Sequence, residues 1–482
     1  MATDSPGPAT AQPARYAPRV RLRPSGALWP PRRPERFATV TIPIAIAALL
    51  ATTSVAAPRQ HLANAVPSIT VWATSGANYD WQRTLIPGFE KTTGVHVTYD
   101  VLPETPLIDM EETAELARST AYSVMEYSQA YTSTFVAEHG AVALTRFLHD
   151  SALTPPSYDF DGISPAFYSN CDLNGTLYCL PLSGDGGPEI FWNKQLFRAA
   201  GITSPPANWP EVITDAKELT NSATGVSGFC TRGSEDSNYY TFELMLPYFI
   251  EYSTTNQGEF LTRDWQPLFN TAGARAWANA FALLMQKYAP LGVANYGFAD
   301  CEHAFETGKT AMYFDDSVFE FFLSNPKISL TAKVTGYDEI PCPAFNKTCL
   351  VALPWGMYVN PNLGRYQQDA AWEYLEYMTA PQNQARAMIA TDAPGIASRP
   401  ALLSYVMAHN SMFKAPFDWL KANSYAVSHI ERNAIPPTPA YAQIEEHLAV
   451  MLSSLVSAQT TPAQTLRALQ SQTTAILAQY DL

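Results

Sequence analysis

A chain of 482 residues, 47% hydrophobic and 15% charged, has room for two or three domains with a large core, and its composition excludes general disorder. The formal net charge is −14. Without residues 1–57, which carry seven Arg and two acids, 23 basic residues face 42 acidic ones, a net of −19. Such a surface repels phosphate backbones and excludes nucleic acid as a partner.

Residues 1–36 are rich in Pro and Arg and lack apolar periodicity; Phe37–Ala57 then runs without a charge and ends in Ser54-Val55-Ala56-Ala57-Pro58. A basic leader, an apolar run and a small-x-small end read as a secretory signal cleaved near Ala57. The alternative is an uncleaved membrane anchor, because the run is just long enough to span a bilayer. Arg32-Arg33 fits a twin-arginine signal poorly, with Pro34 and Glu35 following. No Cys precedes Cys171, so a lipid anchor is not expected.

Beyond the leader, Ser68–Ala73 reads as a buried strand, Trp81–Thr93 as a helix stopped by Gly94, and Val95–Leu102 as an alternating strand. A helix over 111–119 and a strand over 122–127 follow. Strand, helix, strand, helix, strand predicts a parallel sheet covered on both faces. Residues 175–182 predict a hairpin leading into a second lobe. Helices are expected over 209–222, where Pro210 suits the first turn, over 274–288 and over 369–379; strands are expected over 310–315 and 352–360. Two amphipathic helices, 441–457 and 462–478, close the chain.

All six cysteines lie in the exported part, where an even count suggests disulfides. Cys171 and Cys179 flank a turn with Asn174-Gly175 at its tip, and Cys342 and Cys349 flank another short loop, leaving Cys230 with Cys301. Six cysteines allow 15 connectivities, of which this is the one the spacing favours. Zinc is not expected, since no Cys-x2-Cys or suitably spaced His partner exists.

Catalytic signatures are missing: there is no G-x-S-x-G, H-E-x-x-H, Walker loop or dinucleotide-binding pattern, so no catalytic residue, metal or cofactor is expected. Asp315-Asp316 and Glu111-Glu112 are adjacent carboxylates, which on a strand point to opposite faces and do not make a glycosidase pair. Recognition groups are plentiful instead. Aromatic plates for ring C–H faces and fixed Asp, Asn and Arg for hydroxyls stand at Tyr79-Asp80-Trp81, Gly184-Asp185, Arg232 with Asp236 and Asn238, Asp315 and Trp355. Taken singly each has a structural explanation, but their spread over both halves of the chain suits a cleft between two lobes.

Gly175-Thr176-Leu177-Tyr178-Cys179-Leu180-Pro181-Leu182, followed by Ile190-Phe191-Trp192-Asn193-Lys194-Gln195-Leu196-Phe197, then Ala200-Gly201-Ile202, Pro205-Pro206 and Trp209, occur in a characteristic order. With Phe305, Gly308, Lys309, Ala311 and Met312, and with Trp372–Met378 before Pro381, this order resembles the extracellular solute-binding proteins of ABC importers, in the sugar and polyol class, over about 410 residues from Ile69 on. Cys230-Thr231-Arg232-Gly233 with Asp236 and Asn238 is similar to the mannitol and sorbitol binders.

The resemblance implies a periplasmic-binding-protein-like α/β fold of two lobes with a hinge and a ligand cleft between them. Lobe one would hold 65–183 and 337–400, lobe two 184–336 and 401–482. It implies a monomer that captures a small carbohydrate or polyol and passes it to the membrane permease, at the periplasmic or extracellular face. Ligand contact carries over to Trp81, Asp185, Arg232, Asp236, Asn238, Asp315 and Trp355; Tyr79, Tyr127 and Glu189 complete the candidate set. Tyr122-Ser123-Val124 lacks the Asp usual in that family near the third strand, which weakens the resemblance at that loop, and Glu189 is the candidate to replace a lost carboxylate. The rivals are a secreted glycoside-acting enzyme, with Asp185 and Asp315 as the pair to test, the binding module of a sensory receptor, and a member of the same fold that binds peptide, iron or a polyamine.

Overall fold

The computed structural model describes residues 67–75, 80–182, 187–251, 256–346, 348–391, 398–402, 405, 422, 425, 429–430 and 434–482. The leader and the candidate residues Tyr79 and Asp185 lie outside the described residues.

Two larger sheets and one two-stranded hairpin make up the sheet structure of the described residues. The strands are β1 Ser68–Thr74, β2 His96–Leu102, β3 Val124–Ser128, β4 Asp172–Leu173, β5 Thr176–Leu177, β6 Cys179–Pro181, β7 Pro188–Asn193, β8 Met312–Asp316, β9 Thr335–Asp338 and β10 Trp355–Val359. The first sheet has the order β2-β1-β3-β10-β6, and the second β8-β7-β9. β1 pairs in parallel with both β2 and β3, as the alternation of strands and helices requires. The other edge of the sheet is antiparallel. β10 pairs antiparallel with β3 and β6, and both neighbours of β7 are antiparallel to it. β10 enters the first sheet only after the chain has built the second.

Local signals explain the element ends. Gly94, at φ 75°, caps the helix Ile86–Thr93 in the left-handed region. Asn174 and Gly175, at φ 56° and 83°, make the two-residue turn joining β4 to β5. Asn208 accepts from the Glu211 amide at 3.0 Å, so the helix Trp209–Leu219 starts with a side-chain cap and Pro210 in its first turn. Thr461 and Gln464 form a capping box for the helix Pro462–Leu477. The helix expected over 274–288 runs regularly only over Ala272–Leu283 and ends in a wider π turn, Leu284–Tyr288. There the Tyr288 carbonyl accepts from the amides of Gly228 and Phe229 rather than from its own helix.

Helices Arg365–Thr379 and Pro381–Thr391 pack on the first sheet's side. The final helices, Tyr441–Val456 and Pro462–Leu477, pack on each other, and the latter packs on Ala272–Leu283. Trp277, Phe281, Leu448, Leu452 and Leu469 are buried there. All three expected cysteine pairs form, with Cα separations of 5.1 Å for Cys171–Cys179, 5.6 Å for Cys230–Cys301 and 5.5 Å for Cys342–Cys349. The first ties the β4–β5 hairpin to β6; the second ties the segment before Arg232 to the helix Asp300–Glu306.

Candidate ligand-binding site

The first sheet supplies rings. Tyr127 is the penultimate residue of β3, and Trp355 opens β10 in register with Ser128. Their ring centroids are 6.4 Å apart, nearly edge to face, and Tyr127 lies 5.1 Å from Tyr131 in the turn after β3. Gln129 in that turn donates to the backbone carbonyls of Phe167 and Trp355 at 2.8 and 3.2 Å, fixing the turn to the strand.

The second sheet supplies charge. The Cys230 segment runs parallel to β8 through a bridge at Tyr313, which sets Arg232 beside Asp315. The guanidinium grips the carboxylate with Nε 2.8 Å from Oδ2 and Nη2 2.6 Å from Oδ1. The Tyr313 hydroxyl donates to Asp315 at 2.9 Å and the Asp316 amide at 2.8 Å, so with a further Nε contact to Oδ1 at 3.1 Å five hydrogen bonds converge on one buried carboxylate. Burial alone would lower the Arg232 pKa, yet the Asp315 charge and its hydrogen bonds carry it above the ordinary arginine value.

The two sides meet at Tyr240, on the helix Asn238–Met245. Its ring lies 4.3 Å beneath the Arg232 guanidinium, and its hydroxyl accepts from the Trp355 indole N–H at 3.2 Å. A second contact joins the Tyr131 hydroxyl, as donor, to Glu445 on the helix Tyr441–Val456. On that helix Tyr441 donates to Glu243, and the Tyr131 and Tyr441 rings lie 6.2 Å apart. Burial, and then the neighbouring Glu445, pushes the Glu243 carboxyl well above the usual carboxylate range; burial and then Glu243 do the same to Glu259. Beside this seam lies a cavity of about 220 Å³, lined by Gln129, Ser133, Asn170 and Asp172 on one side and by Gln257 and Pro436 on the other.

The candidate residues are thus sorted. Tyr127, Arg232, Asp315 and Trp355 come together through Tyr240. Asn238 is buried at the start of the Tyr240 helix and donates to the Ala449 carbonyl at 3.0 Å. Glu189 stands opposite Asp315 across the β7–β8 pair, where burial and then Glu320 hold its carboxyl far above the usual range. Asp236 is exposed and accepts from Ser234. Trp81 is fully buried in the short turn Asp80–Thr84, packed with the helix Pro381–Thr391. Sequence reasoning missed Tyr131, Tyr240, Glu243, Glu445 and Tyr441; the one available signal was the aromatic pair Tyr239-Tyr240 directly after Asn238.

The model of a single family, described as bacterial extracellular solute-binding protein, matches residues 73–385, more than half of the chain. The chain belongs to that family. This binding protein is 25% identical over 249 residues to the mannitol-binding protein of Pseudomonas aeruginosa, an alignment covering 51% of this chain and 54% of the relative. It is 25% identical over 323 residues to the erythritol/L-threitol-binding protein of Mycolicibacterium smegmatis, covering 64% and 65%. The matches thus span between about half and two thirds of those relatives' own lengths. Among solved structures, a solute-binding protein of an ABC transporter from Agrobacterium vitis with bound D-mannitol superposes with a TM-score of 0.71 at 20% identity, covering 86% of this chain and 99% of the other. One from Agrobacterium radiobacter in complex with ribitol gives 0.70 at 20% identity, covering 84% and 98%. The fold is therefore the periplasmic-binding-protein type. No helix among the described residues is long and apolar enough to cross a membrane, and no group of three or more His, Cys, Asp or Glu there is disposed to hold a metal ion.

Proposed function

We propose that this binding protein is the exported capture component of an ABC importer, taking a small polyol or sugar between two lobes and delivering it unchanged to the membrane permease. The observation that carries the reading is the seam itself: Trp355, Tyr127 and Tyr131 from the first sheet's side face Tyr240, Arg232–Asp315, Glu243 and Glu445 from the second. Rings offer flat apolar faces to ligand C–H groups, and held charges orient hydroxyls. The named ligands of the relatives and of the superposed structures point to the same chemistry.

In this reading lobe one comprises 65–183 and 337–400, lobe two 184–336 and 401–482, and ligand favours closure by touching both. Trp355 and Tyr127 stack on the ligand, while the Arg232–Asp315 pair holds Tyr240 in place. Tyr79, Trp81, Asp185, Glu189, Asp236 and Asn238 are further candidate contacts on the strength of the sequence alone. The protein acts as a monomer, cleaved after its leader or anchored by it.

A thermal-shift screen against polyols, monosaccharides and oligosaccharides tests this. A ligand at 100 times its dissociation constant stabilises by about 2.7 kcal/mol, a clear rise in melting temperature. The rise should disappear in Trp355→Ala. No shift with any of these ligands overturns the proposal.

A further inference from the structure

Among the described residues the seam is short of donors. Glu259 is fully buried and neither of its carboxylate oxygens has a hydrogen-bond partner; Glu243 is 2% exposed and has one oxygen so placed. Two neutral amides repeat the pattern independently. The Gln129 side-chain oxygen, on the cavity wall and 1% exposed, accepts nothing, and neither does that of Asn238. Every one of the unpartnered atoms is an oxygen that can accept, and buried acceptors without partners are costly.

The charge points the same way. Arg232 is committed to Asp315, so that pair brings no net charge. Among the described residues, the ion pairs involve neither Glu243 nor Glu259. Tyrosine rings stand beside these acids: Tyr441 donates to Glu243, and Tyr131 lies between the Tyr127 and Tyr441 rings. Rings and carboxylates together favour a cation. A hydroxyl both donates and accepts, whereas an ammonium group only donates and adds a positive charge, so it matches a surplus of acceptors better.

We infer that the ligand of this seam carries a protonated amine, making the substrate class amino sugars or amino polyols rather than neutral ones, with Glu243, Glu259 and Gln129 receiving the ammonium group. The inference rests on the capture function proposed above and narrows its substrate.

Matched pairs test it: isothermal titration of the whole protein with sorbitol against 1-amino-1-deoxysorbitol, and with glucose against glucosamine and N-acetylglucosamine. The amines should bind roughly tenfold to a hundredfold more tightly than their neutral partners, the gain of one charge-assisted contact, and N-acetylation should abolish the gain. Glu243→Gln and Glu259→Gln, each nearly the same shape as the parent and checked for folding by thermal melting, should shrink the amine preference. Equal affinity within each pair, or a preference unchanged in both glutamate variants, overturns the inference while leaving capture of a neutral ligand standing. No binding of any of the five compounds, with no other sugar or polyol active in the thermal screen, overturns the capture reading and the inference with it.

Discussion

Replacing Asp315 by Ala should be among the most damaging single changes in the second half of the chain. The carboxylate receives two short hydrogen bonds from Arg232, one from Tyr313 at 2.9 Å and one from the Asp316 amide at 2.8 Å. Arg232 is 3% and Asp315 1% exposed, so solvent takes over none of these contacts. The variant strands a buried guanidinium among Tyr240, Phe298 and Phe319 and leaves the Tyr313 hydroxyl without its acceptor. Removing one partner of a buried pair costs about 3–5 kcal/mol. At about 2–4 °C per kcal/mol for a large domain, the melting temperature should fall by about 6–20 °C. Differential scanning calorimetry measures this directly. The double variant Arg232→Met/Asp315→Leu should recover most of the loss, because no uncompensated charge remains. A single variant melting within about 2 °C of the parent would refute the reasoning, as would a double variant less stable than Asp315→Ala.

Stability should also respond to pH through two buried glutamates. Burial first, and then Glu306, raises Glu302 to about 8; burial raises Glu320 to about 8 against a Glu189 hydrogen bond that lowers it. From the ordinary value of 4.5 up to about 8 the folded chain therefore holds protons that the unfolded chain has released, so stability falls as pH rises through that window. Calorimetry from pH 5 to 9 should show a shallower decline for Glu320→Gln than for the parent; parallel curves would contradict the assignment. Among the disulfides, Cys230–Cys301 spans 71 residues and the other two only 7 and 8, so Cys230→Ala/Cys301→Ala should cost about 4 kcal/mol against about 2.5 for either other pair. Urea titration under oxidising conditions ranks the three, and equal losses would count against the loop-closure account. Tyr240→Phe removes the acceptor of the Trp355 indole at the cost of about 1 kcal/mol of contact between the two sides. Small-angle scattering of the ligand-free protein should show a more open average shape for this variant, and an unchanged profile would deny the contact a closing role.

Much of the fold was legible because its signals are local. The β1, β2 and β3 repeat, the Asn208 cap, the Asn174-Gly175 turn and the 7- and 8-residue cysteine spacings each act over a few positions. The antiparallel entry of β10 was not legible, because it depends on where the chain has been rather than on the residues of the strand. The site was half legible for the same reason. Arg232, Asp315 and Trp355 stand in recognisable sequence surroundings. Tyr131 and Glu445 are 314 residues apart, Tyr441 and Glu243 198, and Trp355 and Tyr240 115. Nothing in a neighbouring run of residues marks either member of those pairs.

The energetics of the seam tie binding to closure. With the two sides in contact, Glu259 and part of Glu243 are buried without hydrogen-bond partners. Each such group costs about 1–3 kcal/mol relative to water. The contacts that oppose this cost, Trp355 with Tyr240 and Tyr131 with Glu445, are few. In the two-lobe reading proposed above, opening the lobes rehydrates the acceptors. A donor-rich ligand removes the penalty only when both sides reach it. Its binding energy then falls on the closed state, which is the condition for a ligand to shift the equilibrium at all. Removing the unpartnered acceptors by mutation, as in Glu259→Leu, should therefore raise the closed population of the empty protein, read by small-angle scattering, while lowering the gain that ligand brings.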